Sequence, residues 1–214
     1  MPATVARASA VSRRWSLTAS LCLAAAAIAG AAIWLGLATG GDVTEGWLLA
    51  ARYTARVSFL LFLPVYCASS WHRLRPGPAS RAVLANRRSL GLAFASAHTV
   101  HLGALSMFRT LSSEPPGAAT LIVGGGAYLM MYAMVATSTD AAVRRLGPRR
   151  WKRLHTVGIH WLWFVFAFSY AGRVMAAQMS FVPLLLLALG ALGLRLVARR
   201  SRRSPSRETS ASFA

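Results

Sequence analysis

The sequence contains little acid, little cysteine and no recognisable nucleotide-binding motif. Asp and Glu account for five of the 214 residues. Only Asp140 lies near the apolar segments that carry histidines, so the carboxylate relay usual in proton and metal-ion transporters is missing. Cys22 and Cys67 lie in apolar segments without a CxxC partner, which indicates buried small side chains. No Gly-rich loop follows a strand pattern, so a nucleotide or flavin would have to be supplied by another protein.

Apolar residues, in contrast, are abundant. They make up 56% of the chain, more than one soluble core of this size would need. Stretches of about 20 apolar residues are long enough to cross roughly 30 Å of hydrocarbon as α-helices. Six are predicted, near residues 17–38, 53–71, 89–108, 118–137, 156–177 and 181–198. The predicted fold is therefore an all-α integral membrane bundle of six transmembrane helices.

Positive charge alternates along the chain. The net charge is +19, and Arg and Lys are dense before span one, between spans two and three, between spans four and five, and after span six. Short cytoplasmic loops of membrane proteins carry such an excess. Both termini are therefore predicted to be cytoplasmic, in a bacterial cytoplasmic membrane. Solvated basic loops explain the charge without a nucleic-acid partner.

Three regions are expected from this pattern. Residues 1–16 form a basic cytoplasmic N-terminus, 17–198 the transmembrane domain, and 199–214 a basic, Ser-rich tail. The tail is predicted to be disordered and to lie against the anionic inner leaflet. The segment SRRWSLTASL also resembles a twin-arginine export signal, but its cleavage would leave five spans and break the charge alternation. A retained first helix is therefore favoured.

Four of the five histidines lie in or at the mouth of spans three and five. His98 and His101 belong to FASAHTVHLGAL, and His155 and His160 lie at the start of span five. An ionisable side chain in hydrocarbon usually faces the bundle interior and has a partner or a task. Imidazole is a common haem ligand, and two neighbouring helices with histidines would suit a haem b. Interhelical hydrogen bonds, proton relay and a transition-metal path remain alternatives.

Two ordered motifs resemble the ferric reductase-like transmembrane domain family. NRRSLGLAFASAHTVHLGAL, residues 86–105, resembles the opening of its third helix, and TSTDAAVRRLGPRRWKRLH, residues 137–155, resembles its connection into helix five. The likeness covers roughly residues 45–200. It is greatest to the haem-binding membrane subunit of the bacterial periplasmic methionine-sulfoxide reductase system. The resemblance implies a six-helix haem b bundle that passes electrons across the membrane.

The resemblance also implies ligands. The family's helix-three haem histidine falls on His101, and its first helix-five histidine falls on His155. Its second helix-five histidine falls on Phe168, which cannot bind iron. His98 and His160 are additional to the family pattern and differ in depth by about three residues, or about 4.5 Å, which helix tilt can absorb. A haem between His98 and His160 is the preferred arrangement.

Other arrangements stay open. A haem on His101, with an open sixth position or Met175 as the sixth ligand, is the second arrangement. His155 points about 140° away from His160 on a 3.6-residue helix. It therefore either holds a second haem or binds a propionate, quinone or headgroup at the rim. Arg56 is a candidate partner for a haem propionate, and equally for outer headgroups.

These observations predict an electron-transfer subunit rather than a complete enzyme. One haem b is expected, and two are allowed. Electrons would enter from a cytoplasmic flavoprotein or from quinol and leave toward a periplasmic reductase or a metal-ion acceptor. The alternative is a haem-free membrane protein that acts in assembly, binding or sensing, and the departure at Phe168 supports it.

Overall fold

The computed structural model describes residues 2–112 and 117–201. Within these ranges the chain forms only helices and their connections, which confirms the predicted all-α class. Of the predicted tail, residues 199–201 are described, and the rest lies outside the described residues. The α-helices are α1 (Pro2–Thr39), α2 (Val43–Leu74), α3 (Pro78–Ala85), α4 (Arg87–Leu111), α5 (Ala118–Ala136), α6 (Asp140–Leu146), α7 (Pro148–Met175) and α8 (Val182–Arg200), the last preceded by a 3-10 turn (Met179–Phe181).

Four helical segments of the described chain are long and apolar enough to cross a bilayer. They contain predicted spans one, two, three and six, and comprise Trp15–Thr39, Val43–Leu74, Arg87–Leu111 and Met179–Arg200. Predicted span four corresponds to Thr120–Ala136, which together with Asp140–Leu146 forms a fifth candidate bent by 104°. Predicted span five lies in α7 except for its last two residues, and the 28 residues of this helix are long enough to cross but include charged residues, His, Trp and Tyr. A multi-pass helical membrane protein is thus confirmed, with four to five candidate spans where the sequence predicts six.

The start of α2 explains why this helix is longer than its predicted span. Asp42 precedes the helix and accepts a hydrogen bond from the Glu45 backbone N–H at 2.8 Å. Glu45 in turn accepts from the Gly41 backbone N–H at 2.9 Å. Reciprocal caps of this kind satisfy backbone donors that a helix start leaves unpaired. The helix therefore begins at Val43, about ten residues before the apolar run that the sequence marks.

The described chain divides into two compact units. The first comprises the residues up to Phe62 together with Arg88–Val165, and the second comprises Leu63–Arg87 together with the residues from Phe166 onward. In the first unit, small residues pack α1 against α4. Buried alanines form this contact: Ala25, Ala29, Ala93 and Ala97. Small side chains let helix backbones approach closely, which is the usual basis of helix packing in membranes.

The second unit is held by aromatic and arginine side chains. Phe181, at the start of α8, packs on Tyr170 with ring centroids 6.0 Å apart. Arg173 lies over the Phe181 ring at 4.9 Å. At the other end of α8, Arg73 donates a hydrogen bond to the Ala198 carbonyl at 2.9 Å. That carbonyl belongs to the last turn, where a cation is favourable because helix C-termini carry partial negative charge.

Candidate functional site

Buried and partly buried polar side chains lie on three helices of the first unit, α2, α4 and α5. Thr54 and Ser58 lie one turn apart on α2, and both are fully buried. His98 and His101 lie one turn apart on α4, and Tyr128 comes from α5. We call these five residues the polar core. Buried polar groups in a membrane protein usually serve a function, so the polar core is the candidate functional site.

Thr54 fixes the protonation of His101. The Thr54 hydroxyl donates to the Ala50 carbonyl at 2.7 Å, so its oxygen can act as an acceptor toward the Nδ1 atom of His101 at 3.0 Å. The hydrogen-bond network therefore assigns the His101 proton to Nδ1 and the lone pair to Nε2. Haem iron and other metals bind the lone-pair nitrogen of an imidazole whose second nitrogen is held by a hydrogen bond. His101 has the protonation state that such a ligand needs.

His98 is enclosed by aromatic rings. Its side chain is 6% exposed and stacks on Tyr128 with ring centroids 4.8 Å apart. The Phe94 ring lies 5.3 Å away, and the His101 ring lies 5.1 Å away. The structure thus brings His98 and His101 together on one side of α4, as the i, i+3 spacing predicts.

Two hydroxyl groups of the polar core are buried without a hydrogen-bond partner among the described residues. They are the Oη atom of Tyr128 and the Oγ atom of Ser58. An unsatisfied buried polar group costs about 1–3 kcal/mol, and such groups in native proteins call for an explanation such as an unseen water or ligand. The polar core therefore has unused hydrogen-bonding capacity for the polar part of a bound molecule. The polar core thus offers an oriented imidazole and spare hydroxyl donors, which suit the iron and the carboxylates of a haem.

His160, on α7, resembles His101 in its protonation. Its Nδ1 atom lies 2.7 Å from the Thr156 carbonyl oxygen. Since a carbonyl can only accept, Nδ1 carries the proton and Nε2 the lone pair. The side chain is partly buried in the first unit. His160 therefore also has the protonation state of an iron ligand.

His155 is engaged differently. Its Nε2 atom lies 3.1 Å from the Thr137 hydroxyl, which itself donates to the Ala133 carbonyl at 2.7 Å. His155 is therefore the donor, through Nε2. Its ring also stacks on Trp151 at 4.3 Å, and the Trp151 indole donates to the Thr137 carbonyl at 2.9 Å. We call Thr137, Trp151 and His155 the clasp, because they tie the end of α5 to the start of α7. This geometry favours a rim position for His155 over a second haem.

Glycine allows α5 and α7 to approach closely. A side chain at Gly126 would meet the Trp161 indole at 3.4 Å, and one at Gly158 would meet the Met134 sulfur at 2.7 Å. Trp161 donates to the Val123 carbonyl at 3.3 Å. The run GGG at 124–126 thus serves helix packing through its last residue. Because α5 also carries Tyr128 of the polar core, it contacts both histidine-bearing helices.

The remaining predicted positions lie elsewhere. Arg56 is partly buried on α2 and lies over the Tyr53 ring at 5.6 Å. Phe168 is 59% exposed, and Met175, the last residue of α7, is 87% exposed. The exposure of Met175 does not favour a role as sixth ligand. Over the described residues, no three His, Cys, Asp or Glu side chains form a group that could hold a bare metal ion.

Sequence reasoning missed three members of the polar core: Thr54, Ser58 and Tyr128. A signal was present for the first two, because the i, i+4 spacing in ARYTARVSF places both hydroxyls on one face of a helix otherwise rich in Leu and Phe. Tyr128 gives no such signal. Its importance depends on its contact with His98, which lies 30 positions earlier and on another helix.

Comparison with known proteins adds to this geometry. The fold and the polar core define a multi-pass helical membrane protein with histidines on its helices, of which His98 is buried. The chain is 34% identical over 127 residues to the protein-methionine-sulfoxide reductase heme-binding subunit MsrQ of Ralstonia nicotianae, a match that covers 51% of this chain and 54% of that relative. It is 34% identical over 130 residues to the subunit of the same name from Cronobacter sakazakii, which covers 53% of this chain and 62% of the relative.

These matches confirm the resemblance predicted from the two histidine motifs. Over about half of its length the chain is thus similar to haem-binding subunits named MsrQ. It spans between about half and three fifths of the length of the curated relatives that it matches. No family model matches the chain, and no solved structure matches it significantly.

Proposed function

We propose that the protein is a membrane haem b subunit that passes electrons across the cytoplasmic membrane to a periplasmic methionine-sulfoxide reductase. The observation that carries this proposal is the hydrogen bond from His160 Nδ1 to the Thr156 carbonyl, because it leaves Nε2 of the proposed α7 ligand available to iron. The similarity to two haem-binding subunits supports the same cofactor. Electrons would enter on the cytoplasmic side from a flavoprotein or quinol. A metal ion is the alternative acceptor.

The proposed topology has six spans with both termini cytoplasmic. α7 supplies the fifth of these spans, although it is not among the helices that are apolar enough to be candidates by composition. Its 28 residues extend about 42 Å at 1.5 Å per residue. The bend between α5 and α6 supports a cytoplasmic turn there, because α6 contains Asp140, Arg144 and Arg145 and an excess of basic residues marks the cytoplasmic side.

The haem would be held between α4 and α7, with His160 as the ligand from α7. On α4, His98 differs from His160 in predicted depth by about 4.5 Å, which helix tilt can absorb, and it remains the preferred second ligand. His101 is the alternative, supported by its hydrogen bond to Thr54. When bound, the haem would supply a reversible one-electron couple.

The chain's own residues would orient and enclose the cofactor. Thr54 fixes one imidazole, the ring of Phe94 excludes water from His98, and the hydroxyls of Ser58 and Tyr128 are available to the polar edge.

An absorption spectrum of the detergent-purified protein, oxidised and then reduced with dithionite, tests the proposal. A pyridine haemochrome assay would count haem per chain, and we expect about one. His160→Ala should abolish binding, and comparing His98→Ala with His101→Ala identifies the ligand from α4. His72→Ala is the matched control, because His72 contacts Ser80 in the second unit. Absence of haem after expression with ample haem would overturn the proposal.

That outcome would favour the second candidate function, a haem-free protein of assembly, binding or sensing. One observation favours this candidate. Phenylalanine occupies the position of a family histidine, and Phe168 is 59% exposed. A reductase subunit that copurifies with a haem-free chain would distinguish an assembly role from sensing.

A further inference from the structure

Two arginines of the second unit are anchored side by side on α2. Arg195, from α8, donates to the Tyr66 carbonyl at 2.7 Å, and its guanidinium lies 4.4 Å above the Tyr66 ring. Arg87 donates through Nε to the Val65 carbonyl at 3.1 Å and through Nη1 to the Ser69 hydroxyl at 3.4 Å. Successive carbonyls of one helix therefore hold both guanidinium groups in place.

These anchors concentrate positive charge. Because their anchoring carbonyls belong to consecutive residues of α2, the charge of Arg195 acts on Arg87 unfavourably. Arg199, one turn further along α8, adds to the repulsion on Arg195. Both anchored arginines are partly buried, where water and salt screen a charge less than on an open surface. Two guanidinium charges in such a place, with the exposed Arg199 beside Arg195, are unfavourable unless an anion neutralises them.

The described part of the chain offers no carboxylate for that task. Its acidic residues are Asp42, Glu45 and Asp140. The first two lie at the start of α2, at least about 30 Å along the helix from Val65. The third pairs with Arg88 at 3.2 Å in the first unit. The chain's other two acidic residues lie outside the described ranges. The counterion for the arginines is therefore not a carboxylate of any described residue.

We infer that Arg87, Arg195 and Arg199 form a binding site for a phosphate group beside Val65 and Tyr66 of α2, near the C-terminal end of α8. Guanidinium groups present planar pairs of N–H donors that match phosphate oxygens. Each anchored arginine uses only part of its five donors on α2, and its fixed orientation reduces the entropy lost on binding. Two sources share this chemistry: the headgroup of an anionic phospholipid, which lies at the ends of membrane spans, and a soluble phosphate compound. The inference does not depend on haem binding.

Lipid and phosphate binding by the full-length protein in uncharged detergent tests this site. Native mass spectrometry would measure retained phosphatidylglycerol, and thermal unfolding would measure stabilisation by short-chain phosphatidylglycerol, phosphatidylcholine or pyrophosphate. We expect Arg195→Gln and Arg87→Gln to weaken binding about tenfold. Arg173→Gln is the matched control, since Arg173 packs on Phe181 at the other end of α8; it should change affinity less than about twofold.

The results separate the two sources. Stabilisation by phosphatidylglycerol but not by pyrophosphate would identify a lipid headgroup. Stabilisation by pyrophosphate that is lost in the arginine variants to the same extent would identify a soluble phosphate. Arg199→Gln removes a charge without removing a backbone anchor, so it should bind about threefold more weakly even if the other variants unfold. Binding of neither anion, or unchanged affinity in Arg199→Gln and Arg195→Gln, would overturn the site.

Discussion

The Thr54 hydroxyl and the His101 imidazole are joined at 3.0 Å across two helices, with the Thr54 proton committed to the Ala50 carbonyl. This relationship specifies which nitrogen of His101 carries the proton. It also makes Thr54 a positioning residue, since it acts on the proposed cofactor only through the histidine.

Replacing Thr54 by Val tests the arrangement in which His101 is the ligand from α4, and in that arrangement it should impair haem binding. Valine has nearly the same shape but cannot accept from Nδ1, so haem affinity should fall about tenfold or more. The reduction potential of the remaining haem should rise, because a less basic imidazole stabilises ferric iron less well. Haem titration and spectroelectrochemistry measure the two effects.

Thr99→Val is the control for this variant, because Thr99 is exposed on α4 and bonds to Ala95 and Tyr132. If Thr54→Val kept both affinity and potential, His101 would not be an iron ligand, and the arrangement on His98 and His160 would be the better one.

Tyr128→Phe should affect the empty and the haem-loaded protein in opposite directions. Without haem, the buried hydroxyl has no partner, so its removal should stabilise the fold by about 1–3 kcal/mol. With haem, the same change removes a donor available to the cofactor and should weaken binding. Unfolding curves of both forms would show this reversal. Tyr132→Phe is the control, because its hydroxyl already bonds to Thr99. Equal stabilisation of both forms would show that the Tyr128 hydroxyl does not contact the cofactor.

The membrane class and the importance of α4 could be predicted from sequence because both depend on local patterns. Runs of about 20 apolar residues mark spans wherever they occur, and two histidines three positions apart must share a helix face. The bend after α5 was not predicted. The Thr139 hydroxyl accepts from the Ala142 backbone N–H at 3.1 Å and starts a separate helix. In the sequence, such a capping residue indicates only that the preceding span has ended, and not the angle at which the next helix begins.

The partners of the histidines could not be predicted, for a physical reason. Thr54 lies 47 positions from His101, and Thr137 lies 18 positions from His155. Both threonines donate to carbonyls of their own helix and accept from a histidine. The sequence shows the threonines, but the opposite protonation of the two histidines depends on which nitrogen faces each hydroxyl. That is a property of helix packing.

Thr137→Val should weaken the clasp without removing haem. The variant loses the acceptor for His155 Nε2, and we expect a loss of about 0.5–1.5 kcal/mol in the free energy of unfolding. The bond from Trp151 to the Thr137 carbonyl should persist because it uses the backbone. Haem per chain and denaturant unfolding are the two measurements. Thr110→Val, which loses only a local bond to Met107, controls for the loss of a hydroxyl. Loss of haem in Thr137→Val would instead indicate that His155 is a ligand.

Three glycine-to-alanine substitutions in the first unit should distinguish a glycine that packs against the backbone of a neighbouring helix from one that packs against a movable side chain. At Gly36 a Cβ would overlap the backbone of Ala50, which cannot move without shifting α2, so we expect a loss of about 2–3 kcal/mol. At Gly158 it would meet the Met134 sulfur at 2.7 Å. Met134 can adopt another rotamer, so the loss there should be about 1 kcal/mol or less.

Gly124 is the matched control among these glycines, because a Cβ there has no atom within 4 Å. Alanine should stabilise that position by about 0.5–1 kcal/mol, since glycine loses more backbone entropy in a helix. Unfolding of the three variants in one detergent gives the comparison. If Gly36→Ala were as stable as Gly124→Ala, the close approach of α1 to α2 would be wrong. Loss of haem only in Gly158→Ala would show that the contact of α5 with α7 sets the position of His160, two residues further along the same helix.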